Sequence, residues 1–85
     1  MQFEKASANE SAHGVSFLEA SEVFDDDHSS TVPDPDHSED ESRYLIFGCS
    51  KDGKYLVVSY TDRDDRIRVI SARTMTPRER KAYEQ

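Results

Sequence analysis

Cysteine is nearly absent from this 85-residue chain, Cys49 being the single one. A lone thiol excludes an internal disulfide and a multi-cysteine zinc site, and it fits a reducing cytoplasm. Long apolar runs are lacking as well. None comes near the roughly 18–20 residues that a bilayer requires, so no membrane partner is expected. The amino terminus shows no basic stretch followed by an apolar one, which argues against a secretory signal. No internal repeat is present. At this length there is room for one core, so residues 1–85 are expected to fold as a single domain.

Basic residues are scarce in the first half and concentrated in the second. Residues 1–42 hold twelve acids and one base, Lys5, whereas residues 43–85 hold ten bases and six acids. The halves net -11 and +4, and the whole chain nets -7. An acidic total argues against nucleic acid as a partner. Yet the bases coincide with nearly all the strand-forming sequence, so the folded half can present a cationic face. The acidic half reads either as solvated surface or as a face for a basic partner.

Local patterns predict an α+β domain, an antiparallel sheet packed against two amino-terminal helices and a carboxy-terminal one. Met1 to Glu4 is at most a stub of strand. Lys5 to His13 reads as a short alanine-rich helix stopped by Gly14. Ser16 and Glu19 form a capping box for a helix to about Phe24, with Phe17, Ala20, Val23 and Phe24 on one face. Asp25 to Ser42, with Pro33 and Pro35, is turn and edge strand at best. A meander follows: Arg43–Cys49, Lys54–Thr61 and Arg66–Arg73, joined by turns at Ser50–Gly53 and Asp62–Asp65. Thr76-Pro77-Arg78-Glu79 is a second capping box with proline at the first helical position.

The third strand carries the most chemistry. Alternation puts Arg66 and Arg68 on one side with Ile70 and Ala72, and it puts Arg73 on the other. Arg43 opens a neighbouring strand and Arg63 sits in the adjoining turn. Guanidinium groups grip phosphate at two points, which suits an RNA backbone or a phosphorane-like transition state. The plainer alternative is a solvated arginine face. His13 is the acid/base candidate by type, or else the cation at a helix terminus. The acidic loops around His28 and His37 resemble carboxylate–histidine ligands, but their spacing fits no closed metal site. Cys49 reads as a small buried hydrophobe. Tyr83, with Arg80 on the last helix, either contacts RNA or anchors the helix.

Taken in order, His13-Gly-Val-Ser-Phe17, Glu19-Ala20, Val23-Phe24-Asp25, Asp34, Glu41-Ser-Arg43, Gly48, Gly53-Lys54 and Arg68-Val-Ile-Ser-Ala-Arg73 through Glu79-Arg80 to Tyr83 resemble the BrnT family. These are toxins of type II toxin–antitoxin modules. The resemblance runs from about Lys5 to the end. It implies a RelE-like ribonuclease fold, RNA as substrate and a BrnA-type antitoxin that silences the toxin and carries it to operator DNA. The chain departs from the family pattern in lacking a Trp-Asp stretch after the first strand and in having Ala12, not lysine, before His13-Gly14.

The implied reaction is attack of the RNA 2′-hydroxyl on its own 3′ phosphate, needing neither metal nor cofactor. On this reading Arg43, Arg68 and Arg73 stabilise the phosphate and transition state. His13 carries the proton, with Glu41 as its competitor, and Arg63, Arg80 and Tyr83 are further substrate contacts. A second reading keeps the toxin fold only for binding antitoxin and co-repression. A third is a metal-binding regulator built on the Asp/His loops.

Overall fold

A computed structural model describes residues 2–5, 14–34 and 42–85. The elements are β1 (Gln2–Lys5), α1 (Phe17–Glu22) running into a 3₁₀ turn at Val23–Asp25, β2 (Ser30–Pro33), β3 (Arg43–Cys49), β4 (Tyr55–Arg63), β5 (Arg66–Thr74) and α2 (Pro77–Tyr83). The α+β class is as expected. The strands form one five-stranded sheet in the order β1-β5-β4-β3-β2. β2 to β5 pair antiparallel, but β1 runs parallel to β5, with Phe3 beside Ile67. The sheet is therefore mixed, not purely antiparallel, and the opening stub is an edge strand. Lys5, expected to begin a helix, ends that strand opposite Val69. The rest of the expected helix, 6–13, lies outside the described residues.

The meander forms where β-branched and aromatic residues cluster. Its two turns follow from residues able to adopt positive φ. Gly53 has φ 90°, and its amide donates to the Ser50 carbonyl at 3.0 Å. Asp64 and Asp65 have φ 47° and 69°, which narrows the expected four-residue turn to a two-residue one and extends β4 to Arg63. Aspartate tolerates this region because its short side chain bonds locally.

Cross-strand partners share a face of the sheet, so the register assigns every side chain. The inner face carries Ile46, Leu56, Val58, Tyr60, Ile67 and Val69, buried with Val15, Ala20 and Val23 from the α1 segment. Phe17 and Phe24 pack against this cluster, as the expected apolar stripe requires. Phe3, Phe24, Tyr60 and Tyr44 stack in sequence at centroid distances of 5.2, 4.9 and 5.6 Å. Ser16 caps α1 reciprocally with Glu19, and Glu19 also binds Lys54 at 2.7 Å. That lysine is the main reason the Glu19 carboxyl sits at about 2, well below its ordinary range.

The outer face carries a different set. α2 lies over one end of it, where Val32, Phe47, Ala82 and Tyr83 line a groove of about 320 Å³. At the other end stand Arg43, Arg63, Arg66 and Arg68, of which Arg43 and Arg68 are half-buried.

Candidate functional site

A bulge decides which arginines share a face. Ser59 pairs with Ser71 but Tyr60 pairs with Val69, so Ile70 is an extra residue in β5. An unpaired residue resets strand alternation. Simple alternation put Arg73 opposite Arg68 and Ala72 beside it. The bulge reverses both: Ala72 turns inward opposite Val58, and Arg73 turns outward opposite Val57. Arg43, Arg63, Arg66, Arg68 and Arg73 thus all belong to the outer face.

Their spacing divides them. Arg43 pairs with Thr61, and Thr61 pairs with Arg68. This row crosses three strands, so the two arginine Cα atoms stand about 10 Å apart. Arg63 and Arg66 face each other beside the Asp64–Asp65 turn, and with Asp64 and Arg68 they line a cavity of about 440 Å³. Arg73 lies roughly 15 Å further along β5. It is on the right face, but not in the same concavity.

Arg73 is also engaged. Its Nη1 and Nη2 donate to Glu79 Oε1 and Oε2 at 2.7 and 2.9 Å, a two-point ion pair. Glu79 in turn completes the α2 capping box, accepting from the Thr76 amide at 2.9 Å. The pair raises the Arg73 pKa and holds the Glu79 carboxyl at about 2. Arg43 and Arg68, by contrast, have no carboxylate partner among the described residues.

Residues 2–79 match a family described as ribonuclease toxin, BrnT, of type II toxin-antitoxin system. The chain belongs to the BrnT family. No curated protein matches it. Membership of a type II toxin family brings an antitoxin as partner and a ribonuclease role. Among the described residues no helix is long and apolar enough to cross a membrane, and no group of three or more metal-ligating side chains is present.

The remaining candidates of this BrnT-family chain fall elsewhere. His13 and Glu41 lie outside the described residues. Arg80 stacks over the Tyr55 ring at 4.1 Å and reaches Glu84 at 3.6 Å. Tyr83 meets Tyr55 edge-on at 5.8 Å, and its hydroxyl donates to Asp26 Oδ2. Both residues hold α2 to the sheet, the anchoring alternative for Tyr83.

Asp26 is the residue that sequence reasoning missed. Beyond the start of β2 the edge of β3 is open, and there Asp26 Oδ2 also accepts the Cys49 amide at 2.9 Å. Oδ1 accepts the His28 amide at 3.0 Å. Burial pushes this carboxyl up, but the Tyr83 hydroxyl and the two amides outweigh it and leave the pKa lowered. One carboxylate thereby ties the inner-face turn to the outer-face helix. The only local signal was an aspartate two residues before His28, the spacing of a side chain that bonds its own backbone.

Proposed function

We propose that residues 1–85 are one toxin domain of RelE-like fold, acting in the cytoplasm as a metal-independent endoribonuclease. The observation that carries this reading is the Arg43–Thr61–Arg68 row on the outer face, beside the Arg63/Arg66 cavity. Two guanidinium groups without carboxylate partners among the described residues suit a phosphodiester, which they can hold and whose developing charge they can offset. The RNA supplies the nucleophile, its 2′-hydroxyl, so the protein need only position, stabilise and move a proton. His13 takes the proton in this scheme, with Glu41 as the competing base. Arg63 extends the phosphate track. Arg73 joins it only by giving up Glu79, and Arg80 and Tyr83 offer secondary contacts along α2.

A BrnA-type antitoxin neutralises the toxin and carries the complex to operator DNA. The test is cleavage of a single-stranded RNA by the purified chain in the presence of EDTA. Arg43→Ala and Arg68→Ala should each lower the rate about 100-fold, the loss typical of one transition-state donor. Full activity in both variants would refute the assignment.

A second reading is favoured by two specific features. Ala12 stands where the resemblance to the family leads one to expect a lysine, and the Arg73 guanidinium is taken by Glu79. On that reading the chain keeps the toxin fold to bind antitoxin and co-repress. RNA left intact by a chain that still captures its antitoxin would select it.

A further inference from the structure

Among the described residues, one buried side-chain oxygen has no hydrogen-bond partner, and it is Thr61 Oγ1. Thr61 is 1% exposed. A buried hydroxyl with nothing to bond to destabilises the fold, and native proteins rarely keep one without a use. Valine has nearly the same shape and would carry no such penalty. The orphaned oxygen is also on the outer face, midway along the row from Arg43 to Arg68.

We propose that Thr61 is a phosphate-binding residue, its hydroxyl forming with the Arg43 and Arg68 guanidinium groups a three-point subsite for one phosphodiester of single-stranded RNA. This rests on the reading of the outer face as an RNA surface. The geometry follows from side-chain length. Arginine is long and threonine short, so across β3, β4 and β5 the row makes two cationic walls and a hydroxyl floor. A phosphate gripped from both sides turns one of its oxygens toward the sheet, where Thr61 Oγ1 is the donor in line. The hydroxyl is covered in the free protein, so binding requires the groups that cover it to move aside, and the anion then gives the oxygen the partner it lacks. Neither arginine has a carboxylate partner among the described residues, so both guanidinium groups can turn to a phosphate.

The experiment measures binding apart from cleavage, using a 2′-O-methyl RNA oligonucleotide that cannot be cut. Affinities of the native chain, Thr61→Val, Thr61→Ser, Arg43→Ala and Arg68→Ala are compared, together with their thermal midpoints. A hydrogen bond to a charged group corresponds to about a tenfold change in affinity. Thr61→Val should therefore bind about tenfold more weakly, Thr61→Ser should bind like the native chain, and the Thr61→Val midpoint should be equal or higher. That combination, weaker binding in a fold at least as stable, is one that a structural hydroxyl cannot produce. A lower midpoint in Thr61→Val, or undiminished binding while the arginine variants bind weakly, would overturn the Thr61 assignment and leave the arginine face standing. Undiminished binding in both arginine variants would remove the RNA surface itself, and the subsite with it.

Discussion

Gly48 lies where β3 passes beneath the 3₁₀ turn, and a Cβ built there would sit 2.6 Å from Val23 Cγ1 and 3.2 Å from Asp26 Oδ2. Val23 is fully buried, so it has nowhere to retreat. Its φ is not in the left-handed region, so the need for glycine here is one of space. Gly48→Ala should destabilise the protein by about 2 kcal/mol, as over-filling a packed core does. Urea unfolding checks this, and an unchanged midpoint would mean that the turn yields freely. At this scale the sequence was legible wherever a residue acts through its neighbours in the chain. Ser16 with Glu19, Thr76 with Glu79 and Gly53 all do what local rules assign them. It was opaque where a residue acts across the fold. The second job of each capping glutamate, binding Lys54 or Arg73, left no mark in the local pattern, nor did the edge of β3 that Asp26 satisfies.

α2 is too short to be stable by itself, so its attachments decide whether it forms. Thr76 and Pro77 start it, Glu79 ties its first turn to β5, and Tyr83 ties its last turn to Asp26. Tyr83→Phe removes a hydrogen bond to a charged acceptor while keeping the ring on Tyr55. It should cost about 1.5 kcal/mol in chemical denaturation, and hydrogen exchange should quicken in α2 before it does in β4. Undiminished protection of α2 would move the anchor to the Arg80–Tyr55 stack. Glu79 makes the first turn acid-sensitive. A carboxyl held at about 2 by Arg73, against an ordinary 4.5, contributes stability that is fully present above about pH 5 and is lost as pH falls toward 2. The pair is partly exposed, so its contribution is about 1 kcal/mol or less. Unfolding curves of the native chain and Glu79→Gln should stay apart above pH 5 and converge near pH 2. A constant gap would show that Glu79 acts through its cap alone. Among the elements, α1, α2 and the meander were legible because their signals lie along the chain, whereas Lys5, expected to open a helix, ends β1 through its pairing with Val69. The bulge at Ile70 was not, because an extra residue in β5 is defined by its pairing with β4. That single residue moved Arg73 from one face to the other.

Charge at the scale of the whole molecule follows the two faces of the sheet. The inner face is occupied by apolar side chains, and the outer face holds five arginines, one of them paired with Glu79 at the end that α2 covers. The other end is a short cationic strip on a chain whose total charge is -7. Such a strip suits a flexible single strand, which can follow a few phosphates. Duplex DNA is less well served, because affinity for it grows with the number of phosphates neutralised and the acidic residues repel the rest. No described helix is left free to enter a groove, since α1 is on the core and α2 is pinned to the sheet. The chain by itself should therefore fail to retard operator DNA at about 150 mM salt, where weak electrostatic binding is suppressed. An antitoxin would supply the element that reads the groove, and the mixture should shift the same DNA at concentrations where the chain alone does not. A gel-shift series with chain, antitoxin and mixture measures this directly. Retardation by the chain alone, at concentrations where the mixture also binds, would give the outer face a direct role in duplex binding and would remove the antitoxin as the necessary link to DNA.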